Sequence, residues 1–395
     1  MKPFQGCYYL GAYRAFVSVK NAFLLVHSVS GCSWGALALH QMGRQDAVRQ
    51  ACTMMHEHEV VFGGEQKLRD ALEILKNHSP ERVYVLNGCP SDMIHDDIQG
   101  VIDAADCPFP VKWMNTAGYC GSMRQGYMDA MCFLARNLPN GALKSDMPSV
   151  NLVGISLDDF KAEADTESIR SMLEPEVKLN ATLPMLDGAH MERFSAANLN
   201  LVFRGFEAVG EALKASLGMD YIVVDYPYGA EGSRRFLQRV DTALQTNHRE
   251  TIAQGFIQAA DSTRKVVHLL RLIHQAEAAV AGDYMRSVAM ERFLREEMGL
   301  RICATLDDRH PAADADEWGE RIRNSGTVLV FGSSFQRHVE DEVPARLVRF
   351  AYPVLDSVAL GYQPYAGFDG LDFLLSDILN AVMTLPYRRS GRFNP

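Results

Sequence analysis

The sequence has no run approaching the roughly 20 consecutive apolar residues needed to cross a bilayer. Its start, Met1-Lys2-Pro3-Phe4-Gln5-Gly6-Cys7, lacks the apolar stretch of a secretory signal. The expectation is a cytoplasmic protein with no membrane contact. Positive charge is not in excess either: 39 basic against 49 acidic residues give a formal net charge of −10. Phosphate backbones are bound by clustered Lys and Arg, so a nucleic-acid partner is not expected. The short run Arg388, Arg389, Arg392 reads as a solvated tail. No Gly-x-x-x-x-Gly-Lys-[Ser/Thr] loop is present, which argues against ATP hydrolysis on this chain. No nucleophile–His–acid motif marks hydrolytic chemistry. The eight cysteines include no C-x-x-C pair, unlike ferredoxin-type and zinc-ribbon sites, and are too sparse in 395 residues for a disulfide framework.

What is present is a globular composition, 47% hydrophobic and 22% charged. Short runs rich in Val, Ile and Leu alternate with longer stretches of helical period, the pattern of parallel α/β units. Strands are predicted at residues 22–27, 60–63, 83–87 and 111–115, with helices at 35–54, 66–76 and 96–105 between them. A second set follows at 151–155, 179–183, 199–203 and 221–224, with a helix at 207–217 and a long helix at 261–276. A third lies at 278–282, 301–305, 327–331 and 347–352, with helices at 287–298 and 371–385. The expected fold is α/β: three consecutive Rossmann-like domains, parallel sheets flanked by helices, over residues 1–145, 146–276 and 277–395. The first boundary falls in the Asn-, Pro-, Gly- and Ser-rich stretch 137–149.

In open parallel sheets, ligands sit beyond the C-terminal ends of the strands. Cys32 follows the first strand through Ser28-Val29-Ser30-Gly31, and Cys89 follows the strand at 83–87 between Gly88 and Pro90. Cys7, after Gly6, is free to fold over the same edge. A glycine beside each cysteine lets backbone approach a bulky inorganic body, and thiolate is the natural soft ligand for iron. The spacing C-x24-C-x56-C alone leaves the ordinary reading open: small buried thiols. Cys52, Cys107, Cys132 and Cys303 take that reading, Cys52 and Cys132 in helical segments. Met55-His56-Glu57-His58-Glu59 reads as a solvated turn, and Asp96 and Asp97 as acids at a helix start capped by Ser91 or Asp92.

Several patterns together resemble component 1 of the nitrogenase superfamily. His27-Ser28-Val29-Ser30-Gly31-Cys32 is similar to a strand-end motif leading from a histidine to a cluster cysteine. Val60-Val61-Phe62-Gly63-Gly64-Glu65, with Lys67, Leu68 and Ala71, resembles the next strand and helix. Cys89-Pro90-Ser91-Asp92-Met93-Ile94-His95-Asp96-Asp97-Ile98 resembles the third-cysteine segment, with His95 in place of the usual glycine. Fainter likenesses run through Pro227-Tyr228-Gly229 with Phe236-Leu237, and through 350–356 and 367–370.

The resemblance implies one of two related subunits. The α-type chain holds the active-site cofactor with a mid-chain cysteine and a histidine near its C-terminus. This sequence has no cysteine between Cys132 and Cys303 and no histidine after His338, so the β-type reading is favoured. By resemblance, Cys7, Cys32 and Cys89 then bind half of a bridging [8Fe-7S] P-cluster-like iron–sulfur centre, with a [4Fe-4S] cluster as the alternative. No catalytic residue is expected on this chain. The implied partners are an α-type subunit, in an α2β2 heterotetramer, and an ATP-dependent iron–sulfur reductase protein that docks transiently. The short, divergent chain with all three cysteines favours a nitrogenase-like methylthio-alkane reductase. A true nitrogenase β subunit and a non-turnover cofactor-assembly scaffold are the alternatives. A small-molecule-binding α/β protein with merely buried cysteines is the competing class. Cys120, in Gly118-Tyr119-Cys120-Gly121-Ser122, lies where the family carries a serine near the cluster. His27 stands between a pocket-shaping role and a structural one.

Overall fold

The structure, a computed structural model, describes residues 6–43, 48–310 and 314–385; the tail arginines 388, 389 and 392 lie outside these. Twelve strands among them form three four-stranded sheets. The first contains β1 (Ala22–His27), β2 (Gln50–Cys52), β3 (Arg82–Asn87) and β4 (Val111–Met114). The second contains β5 (Ser149–Ile155), β6 (Lys178–Pro184), β7 (Leu199–Phe203) and β8 (Tyr221–Val224). The third contains β9 (Glu277–Gly282), β10 (Arg301–Asp307), β11 (Thr327–Gly332) and β12 (Arg346–Arg349). Every pairing is parallel. The orders are β2-β1-β3-β4, β6-β5-β7-β8 and β10-β9-β11-β12, so the same winding occurs three times.

Helices cover both sheet faces, which is why the strands read as continuous apolar runs. In the first unit these are α1 (Tyr8–Val17), α2 (Ser30–Gly43), α3 (Glu57–Phe62), α4 (Glu65–Lys76), α5 (Cys89–Met93), α6 (Ile98–Ala104) and α7 (Met123–Arg136). Successive β1 side chains alternate between two cores. Leu24 and Val26 enter a large core shared with Leu152 of β5 and Val280 of β9, while Leu25 packs outward against Leu68 and Leu72 of α4. No helix among the described residues is long and apolar enough to cross a membrane.

Three expectations are corrected. Residues 60–63 are not a buried strand: they fall in and just after α3, none of whose residues is buried, with Val61 and Phe62 71% and 76% exposed. His56 and Glu59 close a capping box that starts this helix. The edge position belongs instead to β2, so the helix expected through 35–54 stops at Gly43, and Cys52 lies on a strand. The long helix expected at 261–276 spans Arg249–Ile273.

Where the sheets meet, charge fills the space. Arg14 of α1 reaches Asp158 at 2.9 Å and Asp159 at 3.0 Å, just beyond β5. Arg286, on the helix Tyr284–Glu296 after β9, faces Asp159 at 3.5 Å and donates to the carbonyls of Phe160 and Phe350. About 30 Å³ remains free beside them, between Arg14, Tyr127, Asp159 and Asp283. Asp283 caps the Tyr284–Glu296 helix by accepting from the Arg286 N–H at 2.9 Å. Burial raises its carboxyl from an ordinary 3.8 to about 6. A raised native pKa means that the protonated form stabilises the fold: this contribution is complete below about pH 4 and is lost as pH rises through about 6. The denaturation midpoint is therefore expected to fall more between about pH 4 and about pH 7 in the wild type than in Asp283→Asn. Equal falls in the two proteins would exclude this role for Asp283.

Candidate functional site

In the order β2-β1-β3-β4, the chain leaves β1 toward one side of the sheet and β3 toward the other. The crevice between their C-terminal ends is thus the topological switch point of the first sheet, where such folds place ligands. Cys32 sits in the first turn of α2, which follows β1, and Cys89 opens α5, which follows β3. Cys7 is the N-cap of α1, and a β-bridge to Ser122 brings it over the same edge. Cys7 is exposed, while Cys32 and Cys89 are partly buried.

Gly118 is the residue between them. A Cβ added there would lie 3.2 Å from Cys89 Sγ and 3.3 Å from both Cβ and Sγ of Cys7. Its N–H donates to Cys89 Sγ at 3.1 Å. The loop is fixed from β3: Thr116 donates its N–H to Asn87 Oδ1 at 2.8 Å and its hydroxyl to the Asn87 carbonyl at 2.7 Å. Sequence reading placed Gly118 only in a loop near the cluster. A glycine in the loop beyond the C-terminal end of β4, the edge where such sheets place ligands, was the available signal.

Cys32 lies close enough to feel the other two thiols. Burial pushes its pKa up, the Ser28 hydroxyl pulls it back, and Cys89, Cys7 and Cys52 push it further up. Cys52, read as a thiol in a helical segment, lies instead on the neighbouring strand β2, where it donates to the Ser28 carbonyl at 3.4 Å. The glycines beside the cysteines divide in role. A Cβ on Gly6 would meet Leu10 Cδ2 at 2.6 Å and one on Gly88 would meet Ser28 Cβ at 2.6 Å, so these two serve close protein packing. Gly31 has nothing within 4 Å, leaving open space beside Cys32.

His27 is fully buried and ties the turns together. Its ring nitrogens lie 3.1 Å from Thr53 Oγ1 and 2.9 Å from Asp96 Oδ2. Burial holds its pKa below the ordinary imidazole value, against the pull of Asp96 and Glu65. A neutral ring satisfies both contacts, with Nε2–H donating to Asp96 and Nδ1 accepting from Thr53. Asp96 also accepts from the Gly64 N–H at 2.8 Å, and the cap expected at Ser91 or Asp92 is instead Asp97, which caps α6 through the Gly100 N–H, while Ser91 and Asp92 lie within α5. Ser91 donates to the His27 carbonyl, and Asp92 accepts from Asn115 and Tyr119. Cys120, exposed, is close enough to Asp92 and Cys89 for both to raise its pKa, after burial as the first cause.

Among the described residues no three His, Cys, Asp or Glu side chains converge where a single ion would sit. The thiols are instead spread along an edge, with an open flank at Gly31 and a backbone donor at Gly118. That soft donor set fits a sulfur-rich, multi-iron body better than a lone cation. Around the edge, large apolar side chains face outward: Trp34, Val61, Phe62, Met93 and Tyr119 are all more than half exposed. Single exposed apolar residues are ordinary, but this many around one crevice marks an interaction surface.

A family model described as nitrogenase component 1 type oxidoreductase matches residues 7–383. The chain is 23% identical to the nitrogenase molybdenum-iron protein beta chain of Frankia alni, over 97% of this chain and 82% of that one. It is 22% identical to the nitrogenase vanadium-iron protein beta chain of Trichormus variabilis, over 97% and 94%. To a light-independent protochlorophyllide reductase subunit of Chloroherpeton thalassium it is 23% identical, over 94% and 76%. Its fold superposes on a chain of the solved structure "Nitrogenase Cp1 at pH 6.5" with a TM-score of 0.81 at 16% identity, covering 97% of this chain and 93% of that one. With the family match spanning nearly its whole length, the chain is a β-type oxidoreductase subunit of the nitrogenase component 1 family.

Proposed function

We propose that Cys7, Cys32 and Cys89 hold one half of an interfacial iron–sulfur centre, of [8Fe-7S] P-cluster type with [4Fe-4S] as the alternative. The observation that carries this reading is the flanking of Gly118 by Cys7 and Cys89 at the switch point, on an edge open to the outside. Cubane clusters take four thiolates, so three from this chain leave the ligand set to be completed elsewhere. The exposed apolar rim supports an α-type partner subunit as the source, in an α2β2 complex. When bound, such a centre supplies an outer-sphere electron relay. The chain's own part is to hold three sulfurs rigidly, to donate from the Gly118 N–H toward Cys89, and to exclude water with the apolar rim. Substrate reduction is assigned to the partner.

An ATP-dependent iron–sulfur reductase protein is the proposed electron donor, in the cytoplasm. Methylthio-alkane reduction is the working subtype, resting on a divergent chain that keeps all three cysteines. Assay of the complete system on C–S substrates and on dinitrogen separates it from a true nitrogenase. Cofactor transfer without turnover would mark a scaffold instead.

In the anaerobically purified complex, Cys32→Ala is expected to reduce iron and sulfide per complex and to abolish the wild-type cluster spectrum. An unchanged spectrum with unchanged cluster-dependent electron transfer would overturn the assignment.

A further inference from the structure

The ladder of paired residues between β3 and β4 ends at Leu86 and Met114. Beyond that point two neighbouring segments are free to part, yet these two stay locked. Asn87, the last residue of β3, accepts the Thr116 N–H on its Oδ1 at 2.8 Å and the Thr116 hydroxyl on its carbonyl at 2.7 Å. Both residues are fully buried, so water does not compete for either bond. Two residues further along the chain from Asn87 stands Cys89, and two further from Thr116 stands Gly118. The Gly118 N–H donates to Cys89 Sγ at 3.1 Å. Ala117, between Thr116 and Gly118, is buried as well, and its carbonyl accepts from the Cys120 N–H at 3.0 Å to close the turn. Donor and acceptor of the N–H···S bond are thus each held a short, fixed way from one rigid point.

We propose that Thr116 and Asn87 form a clamp that holds the Gly118 N–H on the Cys89 sulfur and so raises the reduction potential of the iron–sulfur centre. This rests on the reading of Cys89 as a ligand. Thr116 acts through Gly118 and is a positioning residue. The direction follows from charge. An iron-bound thiolate is a stronger acceptor than a thiol. Reduction adds negative charge to the cluster and its sulfurs, a donor stabilises the reduced form more than the oxidised one, and the potential rises. The N–H belongs to the backbone and cannot be deleted by exchanging a side chain, while a Cβ on Gly118 would crowd both Cys7 and Cys89. The clamp is therefore the place at which to loosen the bond.

The test uses the anaerobically purified complex with its partner subunit, titrated potentiometrically and followed by EPR. Thr116→Val keeps the shape of the side chain and removes its hydroxyl. It is expected to retain the wild-type iron content and to shift the cluster's one-electron equilibrium toward the oxidised form by about tenfold, or about 59 mV. Amide hydrogen exchange across residues 116–120 should be faster by about tenfold as the loop opens more readily. Thr116→Ser, which keeps the hydroxyl and loses the methyl group, is expected to match the wild type in both measurements. A Thr116→Val complex with full iron content and the wild-type potential would overturn the proposal while leaving the cluster assignment standing. So would an equal fall in Thr116→Ser, because the methyl group and not the hydrogen bond would then be responsible. If Thr116→Val binds less iron, exchange in the iron-free full chain decides: faster exchange at 116–120 supports the clamp, and unchanged protection overturns it. A Cys89→Ala complex with the wild-type spectrum would instead remove the assignment on which the proposal rests.

Discussion

Gly11→Ala is expected to displace Cys7 from the cysteine edge and to destabilise the chain by about 3 kcal/mol, the upper end of overpacking costs. The reason is the contact between α1 and α7. A Cβ on Gly11 would overlap the carbonyl oxygen of Met123, and one on Gly126 would overlap that of Tyr8. Each helix thus presents bare backbone to the other, and a backbone carbonyl cannot rotate away as a flexible side chain does. The methyl group must push the helices apart. Because Cys7 is the N-cap of α1 and is bridged to Ser122 at the start of α7, the separation is transmitted directly to the sulfur. Iron per complex should fall along with the denaturation midpoint. Gly35→Ala in α2 is the control: nothing lies within 4 Å of the site, and a gain of about 0.5–1 kcal/mol is expected in the isolated chain. A Gly11→Ala protein with unchanged midpoint and iron content would refute the transmission.

Arg286→Met should cost about 3–5 kcal/mol, the penalty for removing one partner of a buried ion pair. Arg286 is 1% exposed, and its guanidinium serves Asp159 and the carbonyls of Phe160 and Phe350 together. The side chain of methionine fills similar space but leaves those acceptors unmatched. Arg286→Lys keeps the charge without the planar fork and is expected to recover only part of the loss. Whole domains are stable by about 5–15 kcal/mol, so a loss of this size is readable in urea denaturation as a large fall in midpoint. A change under about 1 kcal/mol would mean that the acceptors are readily rehydrated and that the junction is looser than its packing indicates.

Much of this architecture was legible from residues alone. The helix Glu207–Leu217 coincides with its predicted span because its apolar period is strong and Gly218 ends it in a left-handed conformation, φ 67°. β5, β7 and β11 are apolar runs buried almost throughout on both faces, which a continuous run of Val, Leu and Ile between polar flanks reveals. The failure at 60–63 has an equally physical cause. Val60-Val61-Phe62 has the composition of a buried strand, but composition reports only that apolar surface needs cover, not whether this chain or another provides it. β2, at three residues, is too short to have a period.

At the site, the sequence by itself determined the chemistry on offer: thiols at the ends of β1 and β3, a third near the start, and glycines beside each. Its alternation of apolar runs and helical stretches also determined the class of fold, because local periodicity reflects which faces must be buried. Only the tertiary structure decided which groups meet. Gly118 comes between Cys7 and Cys89, Ser28 fits beneath Gly88, and Cys52 joins the edge from β2, because the strand order brings β3 beside β1 and returns α7 against α1. Those contacts join residues as much as 111 positions apart, and no local pattern encodes them. They follow from how sheets and helices close around a shared core.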